Sequence, residues 1–179
     1  MNFLIPNALT AGNLLMGLGA ILFAWKGHPV PACWMILAGA LLDGVDGPAA
    51  RHWKVKSGFG SLFDSISDLV TFGVAPAVLF HRSGAPGDAA GAIYLLCSAA
   101  RLIRFHWMTE KERAGDFVGL PTTAGGAIVA AARLWGPVHF GWGLLPAGGM
   151  LVLSGLMISR IRFPRIINSS EAKPAIPSP

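Results

Sequence analysis

Asp43-Gly44-Val45-Asp46-Gly47-Pro48-Ala49-Ala50-Arg51, followed by Gly60-Ser61-Leu62-Phe63-Asp64-Ser65-Ile66-Ser67-Asp68, are the stretches that decide how this chain folds. Four of the chain's nine acidic residues lie here, in segments whose other residues read as membrane. An ionisable side chain inside a membrane segment is costly and marks a functional site by default. Asp43 and Asp46 are three apart, which on a helix is about 60° in azimuth and about 4.5 Å along the axis. Asp64 and Asp68 are four apart, about 40° in azimuth. Each pair shares one helix face. The basic connection from His52 to Gly58 lets the two helices pack antiparallel, so the two pairs meet at one membrane surface.

Four ionised carboxylates do not crowd together unaided. At about 5 Å and an effective dielectric near 20, each pair repels by roughly 3 kcal/mol. Several such pairs exceed the stability of an ordinary domain. Either some are protonated or a cation sits among them. Carboxylate oxygens are hard ligands, suited to Mg²⁺, Mn²⁺ or Ca²⁺ rather than zinc. No His or Cys joins the set. Two carboxylate-bound metals are a usual device of phosphoryl chemistry. Gly47 and Ala50 lie on the side of Asp43 and leave a flat groove for a nucleotide. Gly60 continues the open face before Asp64, and Arg51 can pair with a phosphate. Each feature alone has a plainer reading, as a helix cap, a packing residue or a topology anchor. The combination at fixed spacing does not.

The rest of the chain fits a membrane setting. Of its 179 residues 53% are hydrophobic and 13% charged, against about 25% charged in soluble domains. Mean hydropathy is +0.56. The net charge of +5 does not point to nucleic acid, because the basic residues are interrupted by long apolar runs. Cys33 and Cys97 lie in apolar stretches and read as packing residues. The N-terminus lacks a basic leader, so the first hydrophobic segment is expected to be retained.

The hydrophobic pattern gives six spans, at 8–25, 29–50, 59–81, 87–106, 119–135 and 138–158. Residues 2–10 are expected to form a short interfacial segment. An all-α integral membrane protein of six transmembrane helices has both termini on one side. Arg51, Lys54 and Lys56, then Lys111 and Arg113 with Arg101 and Arg104 on the approach, then Arg160, Arg162, Arg165 and Lys173 all fall on that side. The opposite side carries Lys26 and Arg82. Both termini are therefore expected in the cytoplasm. The expected organisation is one membrane domain over 1–168 and a disordered polar tail over 169–179.

The pattern Asp43-x2-Asp46-Gly47-x2-Ala50-Arg51-x8-Gly60-x3-Asp64-x3-Asp68 resembles the signature of the CDP-alcohol phosphatidyltransferases at every fixed position. The flanks Ile5-Pro6-Asn7-Ala8-Leu9-Thr10, Thr71-Phe72-Gly73-Val74-Ala75-Pro76, Ala100-Arg101-Leu102-Ile103-Arg104-Phe105 and Phe117-Val118-Gly119-Leu120-Pro121 resemble the bacterial phosphatidylserine synthase branch. The resemblance implies a multi-pass enzyme of the inner membrane, commonly a homodimer, with a di-metal site facing the cytoplasm. It implies that Asp43, Asp46, Asp64 and Asp68 hold Mg²⁺ or Mn²⁺, a site Ca²⁺ could also occupy, and that Asp68 also acts as general base. Gly47, Ala50, Arg51 and Gly60 would line the CDP pocket, with Asn7, Thr10 and Asn13 reaching the nucleotide from the first span. CDP-diacylglycerol and L-serine would be the substrates. Arg101 and Arg104 are the cations available for the serine carboxylate, with Ser65 and Thr71 as further polar contacts. Glycerol phosphate or inositol phosphate as acceptor, and an archaeal-type lipid, remain alternatives within the family. An ion- or proton-coupled transporter is a distant one, and it leaves Gly47-x2-Ala50-Arg51 without a purpose. Two departures stand out. Pro48 occupies a position that is usually not proline, and predicts a kink or break in the second span. Leu120-Pro121-Thr122-Thr123-Ala124-Gly125 differs from the commoner proline- and alanine-rich form.

Overall fold

Long runs of Leu, Ala, Ile and Val, broken by short Gly- and Pro-containing connections, give a bundle of helices. A computed structural model describes residues 4–52, 58–81, 84–107, 117–135, 144–159 and 162–163. At 4–7, 46–52, 58–59, 106, 117–118, 144–145 and 162–163 it describes the backbone alone. Helices α1 (Leu4–Trp25) and α2 (Pro29–His52) form a hairpin through Lys26, Gly27 and His28. Next comes one long helical rod in three parts: α3 (Gly58–Asp68), a π-helical segment (Leu69–Val74) and α4 (Ala75–His81). Helix α5 spans Ala85–Trp107, α6 Thr122–Trp135 and α7 Leu144–Ile158. Two strands of two residues each, Phe117–Val118 and Arg162–Phe163, pair antiparallel. They are the only extended pairing among the described residues.

The π segment sits at the centre, against α1, α2, α5 and α6, and α7 packs outside against α5. Phe72 at its middle is fully buried, as are Ile36 of α2 and Tyr94 of α5. The Tyr94 hydroxyl donates to the Phe72 carbonyl at 3.0 Å. The π turn is visible where the Ala75 amide donates to the Val70 carbonyl, five residues back. Such turns concentrate at functional sites. Large apolar side chains point outward all round the bundle, among them Leu41, Leu96, Trp107 and Trp135, the last 86% exposed. In water that surface would be a liability; in lipid it is the ordinary solvent-facing surface. Two stretches, Ala8–Trp25 and Gly60–His81, are helical, long enough and apolar enough to cross a membrane, and Pro29–Val45 and Pro146–Ile158 are shorter apolar helices.

The helices fall where the hydrophobic pattern put the spans, with three differences. Helix α1 runs unbroken from Leu4, so no separate interfacial segment precedes it among the described residues. Pro6 lies in its first turn, where a missing amide costs no helical bond. Helix α2 continues across Pro48 to His52, so the expected break does not occur; membrane helices tolerate proline where other groups satisfy the freed carbonyl. Helix α6 starts at Thr122 rather than 119, because Gly119 takes a left-handed backbone (φ 82°) and Pro121 follows it. The Gly119 position packs on the C-terminal end of α7: a Cβ there would lie 2.6 Å from the Met157 carbonyl oxygen. The Leu120 amide donates to the Leu156 carbonyl at 3.1 Å. This clamp fixes where α6 begins. The 169–179 tail lies outside the described residues.

Candidate active site

The helix geometry expected from the aspartate spacing is present for three of the four. Asp43 comes from α2 and Asp64 and Asp68 from α3. One carboxylate oxygen from each lies within 4.8 Å of the others. All three side chains are half-buried. Asp46, Gly47, Ala50 and Arg51 continue α2 beyond Val45, but their side chains lie outside the described residues, as does that of Asn7.

Neutral donors hold this cluster from two sides. Thr123, in the first turn of α6, donates its hydroxyl to Asp43 Oδ2 at 2.8 Å. Asn13 of α1 donates Nδ2 to Asp68 Oδ1 at 3.2 Å. Among the described residues no Lys or Arg forms an ion pair with Asp43, Asp64 or Asp68. The donor set is all carboxylate oxygen, with neither imidazole nor thiolate, and it fits a hard divalent cation such as Mg²⁺, Mn²⁺ or Ca²⁺.

Around the cluster, α1 is stitched to the central rod. Ser67 donates its hydroxyl to the Thr10 carbonyl at 3.1 Å and Thr71 donates to the Asn13 carbonyl at 2.9 Å. Thr10, Asn13 and Thr71 are buried. Thr71 therefore spends its hydroxyl proton on a contact between elements. Ser65 gives its own to the Ser61 carbonyl one turn back, at 3.0 Å. Gly60 is half-buried at the start of α3. Arg101 of α5 is half-buried. It donates Nη1 to Thr122 Oγ1 at 3.4 Å, and its buried Nε finds no partner. Arg104 is exposed. Thr122 and Thr123, adjacent at the α6 N-terminus, thus connect a guanidinium on one side with the carboxylates on the other.

Sequence reasoning missed four contributors: Thr122, Thr123, Ser67 and Gly39 of α2, where a Cβ would stand 2.8 Å from Asn13 Oδ1. The threonines were visible only as a departure from a proline- and alanine-rich segment. Ser67 was hidden as a variable position inside the acid motif, and Gly39 as one small residue among many.

Residues 3–159 match the CDP-alcohol phosphatidyltransferase family. The chain belongs to that family. It is 36% identical over 171 residues to a Helicobacter pylori protein named CDP-diacylglycerol–serine O-phosphatidyltransferase, covering 90% of this chain and 72% of that one. A Bacillus subtilis protein of the same name is 35% identical over 170 residues, covering 92% of this chain and 91% of the relative. An archaetidylserine synthase of Methanothermobacter thermautotrophicus is 33% identical over 168 residues, covering 90% and 70%. The phosphatidyltransferase is therefore a membrane enzyme, and its aspartate cluster could bind a metal ion.

Proposed function

We propose that this phosphatidyltransferase moves the phosphatidyl group of CDP-diacylglycerol onto the hydroxyl of L-serine, giving phosphatidylserine and CMP. The observation that carries the reading is the convergence of Asp43, Asp64 and Asp68 from two helices of an apolar bundle. Asp46 completes the quartet by its position in the motif. In this reading the cluster holds one or two divalent ions, Mg²⁺ or Mn²⁺, which when bound neutralise charge on the diphosphate and on departing CMP.

The chain's own residues do the rest. Gly47, Ala50, Arg51 and Gly60 line the CDP pocket, with Asn7 and Thr10 at its α1 side. Asp68 accepts the proton of the serine hydroxyl. The serine oxygen forms a bond to the lipid-linked phosphorus as the bond from that phosphorus to the bridging oxygen breaks, and CMP leaves with the electron pair. Arg101 meets the serine carboxylate; its half-burial and its unpartnered Nε support that role over a topology anchor. Arg104, being exposed, fits the anchor better. Ser65 and Thr71 shape the wall rather than donate, since their hydroxyl protons are already given to carbonyls.

Serine is favoured as acceptor because the relatives cited above share it in their names while differing in the lipid. The lipid tail is the less determined half. The membrane arrangement in this reading is six crossings of the inner membrane, with both termini and the aspartates at the cytoplasmic side and two copies paired.

The test is CMP release by the purified enzyme in detergent, with CDP-diacylglycerol, Mn²⁺ or Mg²⁺, and a panel of acceptors: L-serine, glycerol 3-phosphate, inositol phosphate and water. Release that depends on serine alone supports the reading. Release driven by a phosphorylated acceptor would move the enzyme to another branch of the family. Release indifferent to any alcohol would sink the transfer.

A further inference from the structure

Asn13 is fully buried, yet half of its amide goes unused. Its Nδ2 donates to Asp68 Oδ1 at 3.2 Å, while its Oδ1 has no hydrogen-bond partner. A buried acceptor without a donor is a net cost to stability. The amide is thus not explained by packing. Reversing it would not help, because Oδ1 would then face a carboxylate oxygen, acceptor against acceptor. What the side chain supplies is one N–H, aimed at Asp68.

The seat of that amide is built from three elements. The Asn13 carbonyl is held by the Thr71 hydroxyl of the π segment at 2.9 Å. Opposite lies Gly39 of α2, where a Cβ would stand 2.8 Å from Asn13 Oδ1 and 2.7 Å from Thr71 Cγ2. Only glycine leaves α1, α2 and the π segment this close. In this reading Asn13 serves the Asp68 carboxylate rather than the CDP pocket among whose contacts the sequence had set it.

We propose that Asn13 is a positioning residue: seated against Gly39 and Thr71, it holds the Asp68 carboxylate in the orientation in which the aspartate cluster takes its divalent cation. This rests on the reading of the cluster given above. It assigns Asn13 no contact with substrate. Groups that orient metal ligands in this way typically change metal affinity or activity by about 10- to 100-fold when removed.

The experiment is Mn²⁺ titration calorimetry on the full-length enzyme in detergent, with CMP release measured beside it. Asn13→Ala is expected to weaken Mn²⁺ binding by about 10- to 100-fold and to lower kcat, with KM for CDP-diacylglycerol little changed. Gly39→Ala leaves the amide in place but crowds its seat, and is expected to do the same. In an Asp68→Asn background, adding Asn13→Ala should cost nothing further in Mn²⁺ affinity, as for two residues acting as a unit. Ser154→Ala removes a buried hydroxyl that bonds only within α7 and should leave Mn²⁺ binding intact.

The proposal is overturned by additive losses in the double variant, by a raised KM with unchanged kcat, or by an equal loss in Ser154→Ala. A wild-type chain that binds no Mn²⁺ also overturns it. Failure of CMP release with every acceptor, while the Mn²⁺ cycle behaves as expected, would count against the transfer reading and leave Asn13 as the orienting group.

Discussion

Thr123 Oγ1 donates to Asp43 Oδ2 at 2.8 Å, bridging 80 positions of chain and tying the start of α6 to the aspartate-bearing face of α2. The bond falls in a segment whose sequence departs from the family's commoner form. Removing it takes away the hydroxyl that orients Asp43 from the α6 side. Thr123→Val is expected to weaken Mn²⁺ affinity by about 10-fold or more, while Thr123→Ser, which keeps the hydroxyl, stays near wild type. Titration calorimetry on both variants decides it; equal affinity in the valine variant would make the bond incidental.

Metal removal should be decisive and reversible. Three half-buried carboxylates with oxygens within 4.8 Å of one another repel, and a cation among them would relieve that repulsion. Treatment with a chelator is expected to stop CMP release, and added Mn²⁺ or Mg²⁺ to restore it. Loss of the cation should also lower the melting temperature, since anything that binds the folded state alone stabilises it. Turnover that survives exhaustive chelation counts against the cation.

In the proposed transfer Asp68 has a second role besides ligating the cation, taking a proton, and that role needs its charge. Asp68→Asn is nearly the same shape but accepts no proton from the acceptor hydroxyl. Transfer should fall by about 100- to 10,000-fold, the usual worth of a general base, with CDP-lipid binding still measurable by equilibrium dialysis. Full activity in that variant excludes the base assignment.

Fold and site were legible in the sequence to different depths. The acid spacing foretold that Asp64 and Asp68 share one face, because a 3.6-residue helical period brings i and i+4 together, and the short connection after His52 foretold that Asp43 of the preceding helix meets them. Hydrophobic runs located the helices. What the sequence did not carry was anything set by contact between distant elements. The π turn over Leu69–Val74 arises from how the central rod packs on its neighbours, and no local propensity announces it. Gly39 looked like any small residue until Asn13 and Thr71 closed on it. Pro48 pointed the other way: a strong local signal for a break, overridden in a helix that continues to His52.

The clamp at Gly119 is expected to be a stability determinant. A side chain there must adopt φ 82° and stand 2.6 Å from the Met157 carbonyl oxygen. The left-handed backbone alone costs a non-glycine residue about 1 kcal/mol or more, and the collision adds to it. Gly119→Ala should lower the melting temperature in detergent. It should also reduce Mn²⁺ affinity, since displacing the start of α6 moves Thr123 off Asp43. A melting temperature equal to wild type shows that the clamp carries no strain.

The proposed role of Arg101 would separate recognition of the acceptor from recognition of the nucleotide. It lies on α5, joined through Thr122 to the same helix turn that supplies Thr123. If it receives the serine carboxylate, Arg101→Ala should raise KM for serine by 10-fold or more, about 1.4 kcal/mol or greater, and leave KM for CDP-diacylglycerol within about twofold. Arg101→Lys should recover only part of the loss, because an ammonium lacks the planar fork that matches a carboxylate. Arg104→Ala, at an exposed position, should leave both constants near wild type. Serine titrations on the three variants measure this directly. A rise in KM for CDP-diacylglycerol instead of serine would shift Arg101 to the diphosphate and leave the acceptor's carboxylate to be met by another group.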